Sequence, residues 1–127
     1  MDILGFDHIV ISSTDVDAIL KFYQSVLGMA AEEERPNKWA LHFGTSKISI
    51  QDASSLPDIA RQTAPGTANF CVYTDTPMDD VVAKLNSHST DIVAGPGERL
   101  GANGTILSVY FNDPDGNLVE VCNRLDR

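Results

Sequence analysis

Four side chains in this 127-residue sequence carry nitrogen or oxygen donors at places that invite shared chemistry: His8, Gln51, Asn69 and Glu120. Glu120 is the most demanding of them. It stands in ILSVYFNDPDGNLVEVCN, Ile106 to Asn123, where two β-rich runs flank Asp113-Pro114-Asp115-Gly116. Proline supplies a fixed φ and glycine a positive one, so the stretch is expected to be a hairpin. Side chains alternate along a strand, which puts Leu118, Glu120 and Cys122 on one face and Val119 and Val121 on the other. A carboxylate so placed needs a basic side chain, a metal ion or water in an open cleft. The first of these would be a salt bridge to Arg99 or Lys47.

The elements that position these groups come in two rounds. FDHIVIS, Phe6 to Ser12, reads as a strand with Phe6, His8 and Val10 on one face. Thr14-Asp15-Val16-Asp17 is a capping-box variant, and Val16, Ile19, Leu20, Tyr23 and Leu27 follow at helical spacing up to a stop at Gly28. Trp39 to Phe43 and Lys47 to Gln51 read as strands around Gly44-Thr45-Ser46, and residues 52–65 as a linker with Pro57 and Pro65. Then the order restarts. Ala68 to Tyr73 reads as a strand, and Thr76 and Pro77 as the N-cap and first helical position of a helix buried through Met78, Val81, Val82 and Leu85. Gly95 to Gly104 reads as a glycine-rich surface loop or lid leading to the final hairpin.

One domain over residues 1–127 is therefore expected, made of two modules, about 4–51 and 66–123. Laying one module on the other sets His8 on Asn69 and Gln51 on Glu120. The bland alternatives are a hydrogen-bonded core histidine and amides bonded within a cleft.

Composition narrows the partners. With 18 acidic and 9 basic residues the net charge is −9, and no basic cluster stands out in the sequence. Nucleic acid and anionic membranes are disfavoured for want of a positive face. No apolar run approaches the roughly 20 residues of a membrane span, and MDILGFDH lacks the pattern of a signal peptide, so a cytoplasmic location is expected. Cys71 and Cys122 are read as reduced core residues, His42 and His88 as surface residues, and Asp113 and Asp115 as servants of the turn.

FDHIVIS, then KFYQSVLGM from Lys21 to Met29, then YFNDPDGNLVEV from Tyr110 to Val121, in that order, resemble the vicinal oxygen chelate superfamily of glyoxalases, extradiol dioxygenases, fosfomycin-resistance and bleomycin-binding proteins. HFG at His42 to Gly44, PGTA at Pro65 to Ala68, and Arg99 followed by Gly101-Ala102 are similar to its glyoxalase-domain, "virulence protein"-like branch. The resemblance implies an α+β fold of two tandem βαβββ modules, their curved mixed sheets forming a cup around a divalent metal ion. It also implies metal ligands at His8, Gln51, Asn69 and Glu120, a small-molecule substrate and a homodimer.

The sequence departs from the family at two ligand positions, where amides stand in place of ionisable groups. A 2-His-1-carboxylate iron site needs two imidazoles, and His8 is the single one at a ligand position, which disfavours oxygenase chemistry. Gln51 cannot accept a proton, so in a glyoxalase-type isomerisation Glu120 would be both ligand and base. Amide carbonyls with one imidazole and one carboxylate suit Zn, Ni, Co or Mn, and Arg99 is placed to clamp a substrate carboxylate. The expected function is a glyoxalase-like lyase or isomerase acting on a small oxygenated metabolite. The alternative is a non-catalytic small-molecule-binding protein like the bleomycin-resistance proteins.

Overall fold

Asp15 starts the first helix, its carboxylate accepting a hydrogen bond from the Ala18 amide at 3.0 Å. That satisfies one of the N–H groups the first turn leaves without a partner. The helix, α1, runs Val16–Leu27 and ends at Gly28, whose φ of 69° lets the Met29 N–H reach back to the Tyr23 carbonyl at 3.1 Å. It buries Ile19, Tyr23 and Val26, each worth roughly 1.5–3 kcal/mol for an apolar side chain fully removed from water.

In this computed structural model, which describes residues 1–60 and 62–125, the chain divides into two compact units, Met1–Gly66 and Thr67–Arg127. The first contains β1 (Ile9–Ser13), α1, β2 (Ala30–Arg35), β3 (Lys38–Phe43) and β4 (Ser46–Asp52) in a sheet ordered β1-β4-β3-β2. The second contains β5 (Asn69–Tyr73), α2 (Met78–Ser87), β6 (Ile92–Gly101), β7 (Gly104–Asn112) and β8 (Leu118–Arg124), ordered β5-β8-β7-β6. Both are βαβββ modules with one parallel pair and two antiparallel pairs, an α+β fold. Among the described residues no helix is long and apolar enough to cross a membrane.

Period-two alternation gives each sheet a dry face and a polar one. In the first unit Ile11, Leu41, Ile48 and Ile50 are buried, with α1 packed against β2, β3 and β4. In the second, Val109, Phe111, Val119 and Val121 are buried, as are Met78, Val81 and Leu85 of α2.

The final hairpin closes through side chains. Asp113 Oδ1 accepts from the Asp115 and Asn117 amides at 3.0 Å each, and Oδ2 accepts from Asn117 Nδ2 at 2.8 Å. The Asn117 carbonyl oxygen of the side chain then accepts from the Ala68 amide at 2.9 Å, just before β5 begins. Both side chains are buried.

Several expectations are corrected. β1 begins at Ile9, so Phe6, Asp7 and His8 precede the strand. Ala30–Arg35, unassigned from the sequence, is β2, turned onto β3 by Pro36-Asn37 with Asn37 at φ 63°. The glycine-rich loop is largely strand β6, because it pairs with β7 from Ile92 to Gly101. Helix α2 is capped by Pro77 without a side-chain hydrogen bond rather than by Thr76. Two 3-10 turns, Ala53–Ser55 and Asp58–Ala60, interrupt the expected linker.

Replacing Asp113 by Ala strands two buried or part-buried amides and the Asn117 side chain. Unfolding free energy is expected to fall by roughly 2–4 kcal/mol, read from urea midpoints at constant slope. A loss under about 1 kcal/mol would show that the turn holds without the carboxylate.

Candidate functional site

Glu120 lies on the polar face of the second sheet. In the ladder it is flanked by Cys71 of β5 and Tyr110 of β7, so three polar or polarisable side chains share one row. The Tyr110 hydroxyl is a cross-strand neighbour of the Glu120 carboxylate and feels both its charge and that of Arg99. Its pKa is raised, by desolvation first and then by Glu120, with Arg99 pulling the other way. The Cys71 thiol is pushed well above the ordinary thiol range, by desolvation and then by Cys122 and Glu120. It is solvent-reachable yet a poor nucleophile, since the thiolate is disfavoured there.

Arg99 folds back along β6. Its guanidinium carbon lies 5.7 Å from the Tyr110 ring centroid, and Nη1 donates to the Glu98 carbonyl at 2.9 Å. It passes close to Gly97, where a Cβ would stand 3.2 Å from Nη1 and push the guanidinium aside by a few tenths of an ångström. Arg99 therefore sits on a strand as part of a Glu120–Tyr110–Arg99 group, not on a mobile loop, and forms no salt bridge with Glu120 among the described residues.

In the first unit, Gln51 of β4 pairs with Ser12 of β1. Its Nε2 donates to Ser12 Oγ at 3.0 Å and to Thr63 Oγ1 at 3.2 Å. Thr63 donates its own hydrogen to the Ala60 carbonyl at 2.8 Å, so across the 3.1 Å contact between the two hydroxyls Ser12 must be the donor. With both hydrogens committed, Gln51 can meet this network through its nitrogen alone, and its carbonyl oxygen is left for another partner. His8 has its Nδ1 2.7 Å from Asp7 Oδ1, the arrangement in which a carboxylate orients an imidazole and leaves Nε2 to a ligand. Asp7 is held below the usual carboxylate range by that hydrogen bond.

Asn69 is exposed at the start of β5 and pairs with Leu118, two residues before Glu120. His8 precedes Ile9, which pairs with Ile48, so it falls four residues short of Gln51. The ladder thus sets Ser12 opposite Gln51 and Cys71 opposite Glu120, which makes Val10, not His8, the counterpart of Asn69. The expected one-to-one superposition of donors is corrected by two residues. His8 and Gln51 belong to one unit, and Asn69, Glu120 and Arg99 to the other.

A second donor group was not anticipated. His42 Nε2 lies 3.3 Å from Glu32 Oε1 and 3.2 Å from Glu34 Oε2, and ligand atoms of all three residues lie within 4.8 Å of one another. Lys47 also holds Glu34, at 3.0 Å. Two carboxylates and an imidazole could hold a divalent cation. The sequence hides this group because Glu32 and Glu34 belong to β2, whose exposed AAEEER run lacks apolar alternation.

Residues 5–121 match the model of the Glyoxalase/Bleomycin resistance protein/Dioxygenase superfamily. The chain is 43% identical over 117 residues to virulence protein STM3117 of Salmonella typhimurium, covering 91% of this chain and 81% of that one. A crystal structure of the same protein superposes with a TM-score of 0.92 over 98% of this chain and 100% of that one, at 39% identity. A glyoxalase domain-containing protein, RDO1 of Mycosarcoma maydis, is 34% identical over 127 residues, 99% of this chain and 72% of its own. A lactoylglutathione lyase structure from Agrobacterium tumefaciens gives a TM-score of 0.72 at 25% identity, covering 94% and 92% of the two chains.

The Tyr110–Glu120 contact can be read by alkaline titration at 295 nm, taking the difference between the protein and Tyr110→Phe. Tyr110 is expected to ionise above the ordinary tyrosine range, and Glu120→Gln should lower its midpoint. Because the folded-state value is raised, the associated stability is present below the unfolded value and is lost as pH rises through the folded one. An unchanged or higher midpoint in Glu120→Gln would contradict the contact.

Proposed function

Because this chain belongs to the glyoxalase/bleomycin resistance protein/dioxygenase superfamily, we propose that it is a glyoxalase-like, metal-dependent lyase or isomerase acting on a small oxygenated metabolite. The observation that carries the reading is Glu120, a carboxylate on the polar sheet face whose cross-strand neighbours are a tyrosine and a cysteine and which forms no ion pair among the described residues. Such a group is kept available for a proton or a cation.

His8, Gln51, Asn69 and Glu120 are the proposed metal ligands. Their chemistry fits a divalent ion of nitrogen and oxygen preference, Zn, Ni, Co or Mn: the Asp7 contact orients the His8 imidazole, and the hydroxyl network engages Gln51 through its nitrogen and leaves the carbonyl oxygen as a donor atom. A bound divalent ion supplies positive charge that stabilises negative charge developing on a substrate oxygen. Glu120 takes a proton from the substrate carbon and returns it to the neighbouring one. Tyr110 holds the carboxylate in orientation while its own hydroxyl stays protonated at neutral pH. Arg99, stacked on the Tyr110 ring, offers its remaining N–H groups to a substrate carboxylate.

A homodimer in the cytoplasm is the proposed setting, and two cysteines carried as free thiols suit a reducing compartment. The similarity to a lactoylglutathione lyase supports thiol adducts of 2-oxoaldehydes as the first substrates to screen. A non-catalytic binding protein is the second reading. It is favoured by Gln51, an amide already committed through its nitrogen to Ser12 and Thr63.

Equilibrium dialysis against Ni, Co, Zn and Mn tests the proposal. Stoichiometric binding is expected, weakened at least tenfold in both His8→Ala and Glu120→Ala, as is usual when a ligand is removed. Metal affinity indifferent to both substitutions, or no binding at all, would overturn the metal-dependent mechanism and leave the binding protein.

A further inference from the structure

The polar face of the first unit carries a groove of about 620 Å³, within the size range of small-molecule sites. Its origin lies in the ladder. Val10 and Ser49 are cross-strand partners on β1 and β4 and both line the groove, their short side chains leaving a depression between longer neighbours. Lys38, Lys47, Arg35 and Gln51 belong to the lining around it, together with one acid, Glu34.

The charge of this lining runs against the rest of the chain. Three of the nine Lys and Arg residues of a protein with net charge −9 gather here. Lys47 is committed to Glu34. Arg35 and Lys38 are not: among the described residues neither forms an ion pair with an acid, although β2 carries three glutamates. Those acids are engaged elsewhere, Glu32 and Glu34 with His42, and Glu33 with the Asn37 amide at 3.0 Å. Arg35 and Lys38 are moreover direct cross-strand partners at the tip of the β2–β3 hairpin. Like charges in that relation destabilise a hairpin. Two unneutralised cations held side by side at the mouth of a groove have the charge of an anion site.

We propose that Arg35 and Lys38 form an anion subsite on this groove, and that the ligand is a small organic acid. Its carboxylate or phosphoryl oxygens lie between the two cations, and its short apolar body lies along Val10 toward Gln51. The proposal deepens the functional reading, on which it rests in taking this face as the substrate face, by naming the substrate class.

Backbone amide NMR titration of the whole chain, in chelator, tests it with phenylacetate, phenylphosphonate and uncharged benzyl alcohol. The two acids are expected to give saturable shifts at Lys38, Trp39, Ser49 and Gln51, the stronger of them identifying carboxylate or phosphoryl preference, with benzyl alcohol at least tenfold weaker. The double variant Arg35→Gln/Lys38→Gln should lose at least tenfold in acid affinity, while Lys84→Gln on α2 keeps it. Its Tm should be unchanged or higher, since a like-charge pair has been relieved. No saturable shift with either acid, equal binding of benzyl alcohol, or an equal loss in Lys84→Gln would overturn the subsite. Because the readout needs no metal, failure here with metal binding intact rejects the substrate class alone. Anion binding without metal binding rejects the Lewis-acid mechanism alone.

Discussion

The second unit depends on the hydrogen bonds between Asp113 and Asn117. A carboxylate removed from water must be compensated, and here the backbone of its own turn and one amide side chain do so. That closes β7 onto β8 with Tyr110 opposite Glu120. The same Asn117 then holds the Ala68 amide, which delivers β5 to β8 with Cys71 opposite Glu120. One buried pair of polar side chains thus sets the register on both sides of the candidate carboxylate. A slip of one residue would carry Glu120 to the dry face, among Val109, Phe111 and the residues of α2, where no partner waits.

The two units share a topology and divide the chemistry. Each exposes the polar side of a sheet whose other side is apolar, but the first offers an amide bonded through its nitrogen, an oriented imidazole and surplus cations. The second offers a carboxylate, a protonated phenol and one arginine. A duplicated module has kept its backbone order while its polar side chains have diverged. Backbone hydrogen bonding and the apolar stripe decide the first, and neither constrains which polar group stands on the open face.

What could be read from the sequence follows from what is local. The start of α1, its stop at Gly28, and the Asp113 to Gly116 turn are set by residues a few positions apart, and they stand where local chemistry places them, except that the cap is Asp15, one residue beyond the Thr14 of the capping-box reading. β2 and β6 escaped because their sequences are poor strands alone. AAEEER is acidic and exposed, and IVAGPGERLG is rich in glycine; each is a strand because a partner strand supplies the ladder. Alternation did set Glu120 on the face opposite Val119 and Val121, though among apolar neighbours, because register between distant strands, which brings Tyr110 beside it, is invisible to it. Hence Ser12 and Cys71, the true cross-strand partners of Gln51 and Glu120, went unnoticed, and His8 was aligned two residues out.

The hydroxyl chain beside Gln51 has a direction. Hydrogens pass from the amide to Ser12, from Ser12 to Thr63, and from Thr63 to the Ala60 carbonyl, which ties strand β4 to the segment after it. A carboxylate at position 51 could enter only as an acceptor: Ser12 could donate to it by giving up Thr63, whereas Thr63 could donate to it only by releasing the Ala60 carbonyl. The identity of this one side chain therefore bears on how firmly the segment around Thr63 is tied to strand β4, and an acid in its place loosens that tie.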